Sequence, residues 1–293
     1  MEVGRRPVST LECWLNKTMR AITIRTLILV LGIGKSWVCQ DATSQTKAAS
    51  PTQGISAAEV IDKYLAATGG IEARRALKSM QSEGRFGLEG FHNQFRFAGM
   101  GEFHFYYKAP DNDAFELEHA QKGLHGNTWF GHSNGKVFLR QTVLSNWAIN
   151  GVTVQSLEQA WLALGEWDFT QRYSQISLVG RSDVDGKPAY ALLFTPREGD
   201  PEIRYFDAET FLLVRMDQVG RFRLKQDGPE TKTKIETYYS DYKESGGIKF
   251  PRLVVAMGNP PMASPQTPKN RVEFVVSGLK VNNTFDDAVF KKD

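Results

Sequence analysis

At 293 residues, with 41% hydrophobic and 11% aromatic residues, the chain is long enough for one large domain or two small ones and can bury a substantial core. Its net charge of +3 gives no bulk support for a nucleic-acid partner, because residues 1–42 hold six basic against three acidic residues and carry the whole excess. The two cysteines, Cys13 and Cys39, both fall in or beside that stretch, so the rest of the chain has no internal disulfide and depends on packing for stability.

The first 42 residues read as a leader. A basic stretch from Met19-Arg20 to Arg25 precedes the nine-residue apolar run Thr26–Gly34, and small and polar residues follow. The run is shorter than the ~20 residues of a membrane-spanning helix. Met19 reads as the true start, with residues 1–18 a misassigned extension; the competing reading of the apolar run is a buried N-terminal strand. Cys39 lies just past the apolar run and is the candidate lipidation site, although Ser36-Trp37-Val38 lacks the small residues expected before a lipoprotein cysteine. Residues 43–54, rich in Ser, Thr, Gln and Ala, read as a disordered tether.

A single domain is expected over 55–293. Ser56 and Glu59 form a capping box, with Ile55 and Val60 placed as a hydrophobic staple. Ala57, Val60, Ile61, Tyr64 and Leu65 recur at helical spacing up to Gly69-Gly70, and a shorter helix follows from Ile71 to about Lys78. From Gln81 the period changes to two. Phe86 and Leu88, Phe95 and Phe97, Phe103 and Phe105, and Phe115 and Leu117 each flank polar residues. Thr128 to Leu139 reads as a hairpin turning at Ser133-Asn134-Gly135. Ser156 with Gln159 suggests a second capping box, opening a helix with Leu157, Ala160, Trp161 and Leu164 on one face and Gly165 at its end.

Strands resume at Ile176. Between Asp185 and Arg215 three β-type runs are separated by turn signals. Tyr190, Leu192 and Phe194 share one face. Ile203 and Tyr205 alternate with Glu202 and Arg204. Leu212, Val214 and Met216 share a face in the third run. Lys232–Tyr242 is placed to pair with Ile248–Met257 through Gly246-Gly247, and a Pro-rich loop over Gly258–Lys269 leads to Arg271–Leu279. The fold class is therefore α+β: an antiparallel sheet that buries its apolar face by curling round the N-terminal helix.

The chemical motifs fall short of the spacings they need. Gly34-Lys35-Ser36 has Leu29 where a phosphate loop needs glycine. All five histidines lie between 92 and 132 with no metal-ligand spacing, so neither metal nor cofactor is expected. Asp111-Asn112-Asp113 opens like a calcium loop, but its sixth and twelfth positions are Glu116 and Lys122. Ser177, Ser182 and Ser240 lack the surroundings of a hydrolase nucleophile.

The helix ending in Gly69-Gly70, the Asp185-Gly-Lys hairpin, DAETFLLVR at 207–215, YSDYKESGGIKFP at 239–251 and FDDAVFKKD at 285–293 together resemble the outer-membrane lipoprotein-sorting superfamily, the periplasmic lipoprotein carrier and its outer-membrane receptor. The resemblance spans roughly residues 55–293. It implies an unclosed, curved β half-barrel wrapped over the N-terminal and mid-chain helices, with an apolar cavity for acyl chains. It also implies a place in the bacterial periplasm or on the periplasmic face of the outer membrane. The long aromatic region 86–147 and the Pro-rich loop depart from the carriers.

The leading expectation is a non-enzymatic exported envelope protein that binds a lipid or acyl chain, with envelope proteins as further partners. Membrane association would run only through the leader or Cys39. The cavity candidates are Phe86, Phe95, Phe97, Phe103, Phe105, Trp129, Phe138, Trp161, Tyr190, Leu192, Phe194, Leu212 and Val214. The competing readings are a scaffold whose aromatics simply fill a core and, third, a secreted hydrolase.

Overall fold

The computed structural model describes residues 54–92, 95–110, 112–121, 124–134, 136–141, 154–223, 230–259 and 269–291. The leader with Cys39, the tether up to residue 53, the turn residue Gly135 and residues 260–268 of the Pro-rich loop lie outside them. The described residues belong to one compact unit, Gln53–Asp293.

Helix α1 (Ala57–Ala67) begins at the capping box read from the sequence. Ser56 Oγ accepts from the Glu59 amide at 3.2 Å, and the Glu59 carboxylate accepts from the Ser56 amide at 2.7 Å. The helix stops at Gly69, whose φ of +113° and whose position against the Gly247 carbonyl both exclude a side chain. Helix α2 (Ile71–Arg75) is shorter than its sequence suggested.

Twelve strands follow: β1 (Ser79–His92), β2 (Phe95–Lys108), β3 (Asn112–Gln121), β4 (Leu124–Ser133), β5 (Lys136–Gln141), β6 (Tyr173–Val184), β7 (Lys187–Pro196), β8 (Glu202–Asp207), β9 (Leu213–Arg223), β10 (Glu230–Ser245), β11 (Ile248–Gly258) and β12 (Asn270–Val281). Helices α3 (Val154–Gly165) and α4 (Phe169–Arg172) stand between β5 and β6, and a 3-10 turn over Asp287–Phe290 ends the described chain. Helix α3 starts two residues before Ser156, so Ser156 is inside the helix and is not its N-cap. Among the described residues, no helix is long and apolar enough to cross a membrane.

The strands form one curved, unclosed sheet in the order β5-β4-β3-β2-β1-β12-β11-β10-β9-β8-β7-β6. Each neighbouring pair is antiparallel, and all but one are consecutive in sequence. The exception is β1 with β12, which joins two meanders down the middle. β5 and β6, consecutive in the chain, are the two outer strands, so the α3–α4 connection has to cross the breadth of the sheet.

Both helical segments pack on one face of this sheet. Tyr64 of α1 meets the Phe206 ring edge-on at 5.1 Å. Trp161 of α3 lies 5.4–5.7 Å from the rings of Phe103, Phe105 and Phe115, and Tyr239 of β10 donates to the Ala160 carbonyl. One continuous apolar core joins α1, α3 and strands of both meanders.

Candidate functional site

Seven of the sequence-derived cavity candidates share this core: Phe86, Phe103, Phe105, Trp161, Tyr190, Leu192 and Phe194. Phe95 and Phe97 belong to β2, but their side chains lie outside the described residues.

Two pairs require correction. Trp129 and Phe138 stack at 4.0 Å on the opposite face of the sheet, where the C-terminal Phe290 covers them. Of the adjacent aromatics Trp129 and Phe130, Phe130 faces the core, stacked on Phe115 at 5.2 Å. Leu212 precedes β9 and is half-buried. Val214 joins a small outer cluster with Val184, Ala189 and Tyr205, and the core-facing residues are Leu213 and Met216. A bulge explains the shift: Leu213 pairs with Phe206 and Arg215 with Tyr205, leaving Val214 as the extra residue.

Strand β8 is also inverted relative to its alternation. Ile203 and Tyr205 face the outer cluster, while Glu202, Arg204 and Phe206 face inward. Arg204 is 1% exposed. Its Nε donates to Glu202 at 2.8 Å, its Nη2 donates to the Tyr173 hydroxyl, and its Nη1 lies 2.9 Å from the Glu166 carboxylate. The Tyr173 hydroxyl in turn donates to Glu202 at 2.8 Å. The guanidinium also stacks 4.4 Å from the centre of the Phe194 ring. Burial pushes the Glu202 carboxyl up, but Arg204 and Arg172 outweigh it and hold it below the usual carboxylate range. Burial pushes the Tyr173 phenol well up, so it stays a neutral donor.

A second buried arginine anchors the helices. Arg74 donates at 2.8 Å to the carbonyls of Leu164 and Glu166, two of the groups that the end of α3 leaves unpaired. It also reaches the Tyr64 and Thr68 hydroxyls of α1 and its cap. Arg74 and Arg204 thus fix the same turn, one through its carbonyls and the other through the Glu166 side chain.

Beside that turn lies a cleft of about 420 Å³. Leu77, Met80, Phe105 and Trp161 supply its apolar walls, and Arg75, Lys78, Trp167 and Arg172 are among its polar and aromatic borders. The Arg75 guanidinium lies over the Trp167 ring at 5.0 Å. The cleft is where the apolar core meets solvent, between the end of α2, the β1–β2 pair and the α3–α4 turn. Smaller cavities of about 110 Å³ and 190 Å³ lie beside Arg172 and Arg221 and beside Val184 and Tyr238. Among the described residues, no group of three or more His, Cys, Asp or Glu could hold a metal ion.

Sequence reasoning missed Arg74, Leu77, Met80, Glu166, Tyr173 and the inward pair Glu202–Arg204. A signal was present for the last: Arg204 shares its parity with Phe206, so β8 has an apolar residue on either face.

No family model matches the sequence, and no curated protein matches it. Among solved structures, a LolA superfamily protein from Nitrosomonas europaea is 13% identical, with 82% of this chain and 99% of that chain covered and a TM-score of 0.48. A DUF1329 family protein from Desulfovibrio piger is 12% identical, covering 80% and 97% with a TM-score of 0.44. A putative outer membrane lipoprotein-sorting protein domain from Vibrio parahaemolyticus is 12% identical, covering 80% and 95% with a TM-score of 0.43. At this level the likeness carries nothing about ligand, partner or activity.

Proposed function

We propose that this is an exported envelope protein of a bacterium that holds an acyl chain without catalysis, in a half-barrel whose sheet encloses its helices. The observation that carries the reading is the cleft of about 420 Å³ walled by Leu77, Met80, Phe105 and Trp161, at the edge of the apolar core. That volume falls within the ~300–1,000 Å³ typical of small-molecule sites. Binding would draw on apolar area removed from water, at about 25 cal/mol per Å² before ordering costs. A periplasmic location, export by the leader, membrane attachment through Cys39 and contact with envelope proteins belong to the same proposal and rest on the sequence.

The scaffold reading has its own support: Phe103, Phe105, Phe115 and Trp161 are buried in one network of ring contacts, which Phe130 joins through Phe115, so this part of the core is filled. Native mass spectrometry of the purified full chain, followed by solvent extraction and titration with a fluorescent fatty acid, separates the two. Co-purifying lipid or saturable uptake supports the carrier. Ligand-free protein that takes up no probe leaves the scaffold.

A further inference from the structure

We infer that the cleft takes a single-chain amphiphile with an anionic head, its tail against Met80, Phe105 and Trp161 and its head at Arg75, Lys78 and Arg172. This deepens the proposed function and rests on the cleft being a binding site.

Size argues for one chain. A cleft of about 420 Å³, within the ~300–1,000 Å³ of small-molecule sites, has room for one acyl chain of medium length.

Charge argues for the head. Three cationic side chains and two carboxylates border the cleft. The carboxylates are already engaged. Glu166 lies 2.9 Å from the buried Arg204 and 3.9 Å from Arg172. Asp168 caps α4, accepting from the Thr170 amide at 3.1 Å, the Thr170 hydroxyl at 2.6 Å and the Gln171 amide group at 2.9 Å. The cations retain donors. The Lys78 ammonium has no ion pair or hydrogen bond among the described residues; only its backbone is tied, the amide to Asn282 at 2.7 Å and the carbonyl to the Ala109 amide at 2.9 Å. Arg75 is held over Trp167 and paired only at 2.9 Å with the exposed Glu72. The Arg172 side chain is one-third exposed. A bound anion would meet three donors at the mouth, whereas a bound cation would find both carboxylates occupied.

The test compares two soluble twelve-carbon amphiphiles of opposite head charge, dodecanoate and dodecyltrimethylammonium. Calorimetric titration of the full chain is run below their micelle concentrations, at low and high salt. Dodecanoate should bind about tenfold more tightly at low salt, with the gap narrowing at high salt. The exposed pair Arg75→Glu and Lys78→Glu should abolish or reverse that preference while the circular-dichroism spectrum is unchanged. Equal affinity for the two amphiphiles overturns the head assignment and leaves the cleft as an acyl site. Failure of both to bind removes the cleft as a site altogether. A preference for dodecanoate that survives the double substitution in folded protein places the head elsewhere and also overturns the assignment. If the double variant does not fold, the wild-type comparison and its salt dependence still decide.

Discussion

Replacing Arg204 with methionine tests whether the inverted strand β8 is held by its charges. The substitution keeps an unbranched apolar stem against Phe194 and removes the guanidinium. It leaves the Glu202 carboxylate, 6% exposed, without the cation 2.6 Å away, and takes from Glu166 its partner at 2.9 Å. Removing one member of a buried ion pair costs ~3–5 kcal/mol, because the remaining charge stays buried and unpaired. For a domain of this size that lowers the melting temperature by roughly 6–20 °C.

The pH dependence gives a sharper signature. In the wild type the folded Glu202 carboxyl is held below its ordinary value of 4.5, so its contribution is present above that value and is lost as pH falls through the folded one. In the variant Arg172 and the Tyr173 hydroxyl remain, but the larger offset to burial is gone, and the folded value rises above 4.5. The carboxyl then destabilises at neutral pH, and the penalty lifts as pH falls and the group protonates in the folded state. Urea unfolding of both proteins at pH 7 and pH 5, followed by tryptophan fluorescence, should show a deficit that is large at pH 7 and smaller at pH 5. A deficit below ~1 kcal/mol at pH 7, or one independent of pH, would refute the reasoning. Adding Glu202→Gln should recover part of the loss, since the orphaned charge is then gone.

Trp161→Ala should destabilise by ~3–5 kcal/mol in the same assay, since the ring touches four aromatics in the closed core. It should also abolish fatty-acid uptake; uptake that persists would remove Trp161 from the site. Gly69→Ala should cost roughly 1–3 kcal/mol, because a Cβ at φ +113° meets the Gly247 carbonyl; a neutral melting temperature would show that the α1 end docks differently. Leu213→Asp should prevent stable folding while the neighbouring Val214→Asp is tolerated, as judged by soluble yield and melting temperature; equal damage would contradict the bulge.

Helix α1 was legible residue by residue, because its signals are local. A capping box and a helical period depend on neighbours three and four positions away, and both bonds of the box are present. The hairpin between β10 and β11 was legible for the same reason, through Gly246-Gly247. The core positions Phe86, Phe103 and Phe105 followed from alternation in strands whose other face is polar. Alternation fails where both parities are apolar or a residue is inserted. Trp129 and Phe130 are adjacent, so pattern alone cannot choose between them. EIRYFD in β8 offers Ile203 and Tyr205 on one face and Phe206 on the other. One inserted residue in β9 moves Leu213 inward and Val214 outward.

The sequence by itself determined the antiparallel α+β character, the start of α1 and the parity of the strands with one clearly polar face, since each is set by residues close along the chain. Only the tertiary structure decided the pairing of β1 with β12, the inward face of β8 and the position of the cleft. The first joins segments nearly two hundred residues apart. The second depends on Glu166 and Glu202 arriving at Arg204 from different elements. The cleft exists only where the end of α2, the β1–β2 pair and the α3–α4 turn meet, and no stretch of sequence contains all three.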